Sequence, residues 1–188
     1  MIEVYAIADH PGPPLPDVNG VRAVPAGRIA ALCADVEETA LSPAALWAHE
    51  AVVEALMEDR DLLPVRYGTR LADEAQVLRA VAERHDALLA ALDGVRGAAE
   101  VSLRVGAPTD GPAPAEAATR VHEQLAGHAR AATVLAAGES RDLLRAAYLV
   151  DRGGSAGFAE AVATHQRAHP DLRLLCTGPW PPYSFAER

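Results

Sequence analysis

The sequence predicts an α+β protein of two small lobes, the second of them ferredoxin-like. Three observations predict it. The chain has 188 residues, enough for one ordinary domain or two small ones. Gly106–Ala115 (GAPTDGPAPA) is rich in proline and glycine and has no large apolar side chain, so it reads as a linker. Counted from the alternating stretch Ala99–Val105, the elements run β-α-β-β-α-β, the order of a split βαβ unit. The expected lobes are residues 1–106 and 107–188. The first half reads β-β-β-α-β-α, with the Ala99–Val105 strand open to sharing.

Each element has its own warrant. In Ile2–Ala8, Ile2, Val4 and Ala6 alternate against Tyr5 and Ile7, which makes a strand. Pro11, Pro13, Pro14 and Pro16 lack donors and fix φ, so His10–Gly20 is a loop. Val21–Val24 and Ile29–Val36 read as strands joined by a turn at Pro25–Gly27. Ser42–Pro43 opens a helix, because serine caps free amides and proline suits the first helical position. That helix runs to about Arg60, with Leu46, Val53, Leu56 and Met57 on one face. His49 falls inside the stripe and Glu50 at its edge. Leu62–Tyr67 is a short strand closed by Gly68. Asp73 opens a second helix to about Leu92, burying Val77, Val81, Leu88 and Leu92 with His85 among them; Gly94 and Gly97 stop it.

Beyond the linker, Ala115–His128 reads as a helix with a thin apolar face of Val121 and Leu125. Ala131–Ala137 fits either a strand or a helix. Leu143–Val150 is a strand ended by Arg152–Gly153–Gly154. Ser155 caps a helix that carries Phe158, Ala161, Val162 and His165 on one face, and Pro170 ends it. Leu172–Cys176 is the last strand, and Thr177–Arg188 is a tail.

Composition excludes several function classes. Half the residues are apolar and 23% are charged, a globular balance. The formal net charge is −9, and every basic residue is an arginine. An acidic chain is a poor match for nucleic acid or for anionic lipid, so neither is an expected partner. No apolar run reaches the length of a membrane span, and the start lacks the pattern of a signal peptide. Cys33 and Cys176 are far apart and make no disulfide framework. A reduced, cytoplasmic setting is the expectation.

The search for chemistry yields little. His49–Glu50 begins like a zinc-protease helix, but Val53 stands where the second histidine belongs. An ion pair of Glu50 with Arg66, tying the first helix to Pro64–Tyr67, is the expected role instead. His165 and His169 are four apart, with no third ligand in view. Gly153, Ser155 and Gly157 spell GxSxG, yet the chain has too few strands for a hydrolase sheet. Without lysine there is no phosphate-loop lysine. No catalytic residue, metal ligand or cofactor site is expected. The oddest segment is Gly178–Phe185 (GPWPPYSF), with three prolines and three of the chain's eight aromatics. Such a strap covers a domain, faces a partner, or does both.

Cys176-Thr-Gly-Pro-Trp-Pro-Pro-Tyr-Ser-Phe185 resembles the C-terminal signature of the gas vesicle accessory proteins of the F and L type. Leu63-Pro-Val-Arg-Tyr-Gly-Thr69 with Asp73-Glu74 looks like the family's central motif, and His49–Glu50 matches its HE pair. Tyr5–Ala6, Ala147-Tyr-Leu-Val150 and Phe158 also fit, in the same order along nearly the whole chain. The resemblance implies a non-enzymatic accessory or minor structural protein of gas vesicles, the cytoplasmic gas-filled shells that give buoyancy. It implies contacts with the small hydrophobic shell protein and with other accessory proteins, and no cofactor. Trp180, Tyr183, Phe185 and Tyr67 are the expected partner contacts. His49, Glu50, Pro64, Arg66, Gly68, Gly178 and Pro179 are the expected architectural residues. The competing expectation is a small-molecule-binding regulator or enzyme with a cleft between the lobes.

Overall fold

Residues 1–37, 42–108, 112–136 and 142–186 are described by the structure, a computed structural model. The chain divides into two units, Met1–Arg96 with Pro181–Arg188, and Gly97–Trp180. The boundary therefore falls at Arg96–Gly97 rather than at 106–107, and the end of the tail returns to the first unit. The reason is that β6 (Ala98–Gly106) is a full member of the second unit's sheet. The expected linker is partly helix, since α4 starts at Pro112; its residues 109–111 lie outside the described residues.

In the first unit, β1 (Ile2–Asp9), β2 (Arg22–Ala26), β3 (Ile29–Asp35), β4 (Leu62–Pro64) and β5 (Arg70–Leu71) form one antiparallel sheet. The order is β2-β3-β1-β4, with β5 also paired to β1. Pro25 lies inside β2, where an edge strand tolerates its missing donor; the turn that follows uses Gly27 at φ +71°.

The strand β1 is buried on both faces and carries a bulge. Val4 pairs with Cys33 and Ala6 with Leu32, so Tyr5 is the extra residue. The bulge breaks the expected alternation. Tyr5, Ala6 and Ala8 join a core with Val52, Val53 and Leu56 of α1 (Pro43–Met57). Val4 and Ile7 instead line a groove with residues of α2 (Glu74–Glu83) and α3 (His85–Val95). Val52, Val53 and Leu56 are fully buried, each worth about 1.5–3 kcal/mol of apolar burial.

The helix α1 starts as its sequence predicts, with Ser42 Oγ accepting from the Ala45 amide at 3.2 Å. Its inner face differs, however: Leu46 is exposed, Met57 is half-buried, and Val52 and His49 are buried. Arg60 closes the helix by donating to the Leu56 carbonyl at 3.1 Å. The same guanidinium donates to the carbonyls of Pro13 (3.4 Å) and Pro14 (2.9 Å), pinning the proline loop. The expected single helix from Asp73 to Leu92 is two. Asp73 caps α2 by accepting from the Gln76 amide at 2.9 Å, but Arg84 at φ −120°, ψ 13° separates α2 from α3.

The second unit is a ferredoxin-like βαββαβ. Its strands β6, β7 (Ala131–Val134), β8 (Leu144–Asp151) and β9 (Arg173–Trp180) lie in the order β7-β8-β6-β9, antiparallel throughout. The helices α4 (Pro112–Ala126) and α5 (Ser155–Ala168) pack Val121, Leu125, Phe158 and Val162 against Val101, Leu103, Val105 and Tyr148. The fully buried Tyr148 satisfies its hydroxyl on His122 Nδ1 at 2.8 Å. Two expectations change here. Ser155 is not the cap of α5: Gly154 occupies that position, and Ser155 Oγ donates to the Arg152 carbonyl at 3.1 Å. The last strand does not stop at Cys176 but runs through Gly178–Pro179 to Trp180. An edge position and a register shift opposite Glu100–Ser102 make room for the proline.

Candidate functional site

The central motif Leu63–Thr69 is a turn hung on one edge of β1. After β4 the Val65 amide donates to the Tyr5 carbonyl at 2.8 Å, and the Val4 amide donates to the Thr69 carbonyl at 3.1 Å. Between these anchors, the Thr69 amide and hydroxyl both donate to the Arg66 carbonyl, at 3.2 and 2.8 Å. Gly68 takes φ +85°, a value the third position of such a turn requires and other residues resist. The turn sets Tyr67 beside the start of α1, where its hydroxyl accepts from the Ser42 amide at 3.4 Å.

Beneath this turn lies a buried charged network that joins β1, α1 and β5. His49 Nε2 donates to the Val65 carbonyl at 2.9 Å, because a carbonyl can only accept. His49 Nδ1 is 2.8 Å from Glu3 Oε1, and Arg70 Nε donates to Glu3 Oε2 at 3.2 Å. The Nδ1 contact holds one shared proton, and Arg70 binds the other oxygen of the same carboxyl group. The side chains of His49 and Glu3 are 1% and 5% exposed. Tyr5 and Tyr67 flank the imidazole, with ring centroids at 4.9 and 5.6 Å. Burial, and then the Glu3 charge, push the Tyr5 phenol above its ordinary range. An open cavity of about 230 Å³ touches this network, but both His49 nitrogens and both Glu3 oxygens are already engaged. The arrangement fixes how α1 and the central motif sit on the sheet.

The tail reaches the other side of the same helix. Pro181, Pro182 and Phe185 are buried, and Tyr183–Phe185 makes a single 3₁₀ turn. The Tyr183 hydroxyl donates to Glu50 Oε1 at 3.1 Å. Burial, with the Glu50 charge second, holds this phenol well above the usual tyrosine range. Glu50 thus pairs with Tyr183, not with Arg66 as the sequence suggested. Arg66 is exposed and shares with Leu46, Glu50, Tyr67 and Tyr183 the lining of an open cleft of about 400 Å³. Trp47, one helical position from Leu46, is 72% exposed.

The sequence model described as gas vesicle synthesis protein GvpL/GvpF matches residues 3–113 and 112–187. The chain belongs to the GvpL/GvpF family. It is 31% identical to gas vesicle protein L of a Streptomyces species, over 87% of this chain and 77% of that one. It is 30% identical to gas vesicle protein F of the same source, over 98% of both chains. Gas vesicle protein F2 of Halobacterium salinarum is 29% identical, over 85% of this chain and 76% of that one. The crystal structure of GvpF from an Anabaena species matches the whole chain and 96% of its own, with a TM-score of 0.87 at 18% identity. That of GvpF from Microcystis aeruginosa matches the whole chain and 99% of its own, with a TM-score of 0.84, again at 18% identity. These two matches establish the α+β fold. As a GvpL/GvpF protein, the chain has a role in gas vesicle formation and associates with gas vesicle components. No helix among the described residues is long and apolar enough to cross a membrane.

In this GvpL/GvpF chain the structure gathers His49, Glu50, Pro64, Arg66, Tyr67, Gly68, Tyr183 and Phe185 in the first unit. It leaves Gly178, Pro179 and Trp180 in the second. Pro64 is the buried end of β4. Gly178 has φ +131°, and a Cβ there would stand 2.8 Å from the Glu100 carbonyl oxygen. Trp180 is 40% exposed and donates through Nε1 to Thr177 Oγ1 at 3.2 Å. Phe185 departs from its expected role, since at 5% exposure it anchors the tail and has no surface to offer a partner. Sequence reasoning missed Glu3 and Arg70, whose signal was a charge at each of two positions facing α1. It also missed Leu46 and Trp47 as a surface, because Leu46 fits the helix's apolar stripe.

Proposed function

We propose that this chain is a non-enzymatic assembly factor that escorts the small hydrophobic shell protein in the cytoplasm before the shell closes. The observation that carries this reading is the exposed apolar surface at the start of α1. Leu46, 40% exposed, lines the cleft with Tyr67 and Tyr183, and Trp47, the next residue of α1, is 72% exposed. Exposed large apolar side chains clustered beside a cleft mark a binding surface, and a rigid aromatic is a strong anchor for one. Trp180, also 40% exposed, is a second contact in the other unit. The full engagement of His49 and Glu3 supports the non-enzymatic reading. A pull-down with the shell protein tests this. Trp47→Ala is expected to cut capture at least tenfold with unfolding midpoint unchanged, and Trp180→Ala/Tyr183→Ala to weaken it further. If the intact chain never captures the shell protein, the escort role is wrong; normal capture by Trp47→Ala removes this surface from it.

A further inference from the structure

The face of the first sheet opposite α1 carries a second recess. Val4, Val65, Val77, Val81 and Leu88 are among the eleven side chains around a groove of about 160 Å³, and Arg84 is the one ionisable side chain there. The groove exists because of two features already described. The bulge at Tyr5 turns Val4 and Ile7 toward it, and the break between α2 and α3 places Arg84 at its wall. Its floor is built, since Val4, Ile7, Ala31, Val77 and Val81 are all buried.

We propose that this groove is a binding site for a short unbranched monocarboxylate, with the alkyl chain in the groove and the carboxylate on Arg84. The volume sets the size of the chain, because an apolar recess of about 150 Å³ admits a body of about six carbons such as benzene. The charge sets the head group. The Arg84 side chain has no partner among the described residues. Of the acids beside it in sequence, Asp86 Oδ1 pairs with His85 Nδ1 at 3.1 Å, and neither Glu83 nor Asp86 lines the groove. A planar guanidinium matches a carboxylate with two parallel hydrogen bonds. An uncharged amphiphile meets the same apolar walls without that pairing, and a phosphate monoester head brings more charge than one guanidinium balances.

The site is read by titrating the full chain with butyrate, hexanoate and octanoate, and with 1-hexanol, while following methyl shifts of Val77, Val81 and Leu88. Affinity is expected to rise about fourfold per methylene up to hexanoate and then to level off as the groove fills. Hexanoate is expected to bind at least tenfold tighter than 1-hexanol. Arg84→Gln removes that difference and leaves hexanol binding intact. Ala80→Leu fills the groove from its exposed rim and abolishes binding of both, with the unfolding midpoint unchanged. Equal affinity for hexanoate and hexanol, affinity that still rises about fourfold per methylene from hexanoate to octanoate, shifts confined to other methyl groups, or an unaltered Arg84→Gln variant overturns the proposal.

Discussion

Deleting the imidazole of His49 leaves the Val65 carbonyl without its donor and breaks the hydrogen bond to Glu3 Oε1, where Glu3 is only 5% exposed. A buried polar group left unpaired costs about 1–3 kcal/mol, and two are left here, so His49→Ala is expected to lower the urea midpoint steeply. Glu3→Gln keeps the shape and one acceptor and is expected to cost less; equal midpoints for wild type and His49→Ala would mean the network carries no stability. Gly178→Ala is a second residue-scale test. Its Cβ meets the Glu100 oxygen at 2.8 Å, and φ +131° suits glycine alone, so a loss of about 1–3 kcal/mol is expected in thermal unfolding. How much of this was legible differs by residue. Gly68 announced its turn, because glycine after Arg-Tyr and before threonine is a turn signal. Glu3 did not announce its burial, since a charge in an alternating strand ordinarily faces water. The bulge at Tyr5 decides which face Ala6 takes, and no residue there is a glycine or proline that would mark it.

Among the elements, the Tyr183–Glu50 hydrogen bond and apolar burial help hold the tail turn in the first unit. A hydrogen bond to a charged group is worth about 1.5–3 kcal/mol, and Tyr183 is half-buried, so Tyr183→Phe is expected to cost about 1–2 kcal/mol. A double-mutant cycle should show Glu50 coupled to Tyr183 and additive with Arg66. The same bond gives the tail a pH dependence of known sign. Docked, the Tyr183 phenol keeps its proton beyond the usual tyrosine range; undocked, it ionises near about 10. Docking is therefore fully present below about pH 10 and lost as pH rises further. Protection factors for the amides of Tyr183–Ala186, the slowing of exchange relative to the unstructured chain at the same pH, should fall across that range in the wild type and stay flat in Tyr183→Phe. At this scale the βαββαβ order was legible because β6 alternates cleanly, β8 is a short apolar run ended by Arg152–Gly153–Gly154, and glycines or prolines separate the elements. The α2–α3 break was not, since Glu83-Arg84-His85 holds no helix breaker. The extension of β9 was hidden by Gly178–Pro179, which ordinarily ends a strand and here sits on an edge.

At the scale of the molecule, the net charge is unevenly shared. The first unit holds seventeen acidic and nine basic residues, the second nine acidic and eight basic. Self-repulsion in the first unit should be relieved by salt, so added salt is expected to raise its melting point more than that of the second. Calorimetry with a unit-specific probe checks this, and an equal response of the two would contradict it. Residues 97–180 made alone are expected to fold cooperatively, as a complete βαββαβ should. Residues 1–96 made alone lack Tyr183 and Phe185, and a peptide of residues 181–188 is expected to raise their unfolding midpoint. The sequence located a division but placed it at the linker, because a proline- and glycine-rich run is a visible break and a return of the chain is not. That return has a consequence for synthesis. A chain is made from its first residue onward and domains generally fold as they emerge. The second unit can close first, while the first stays incomplete until Phe185 has left the ribosome. A product cut short after Trp180 would hold a finished ferredoxin-like unit and a first unit lacking its anchor, so closure of the first unit waits until synthesis has passed Phe185.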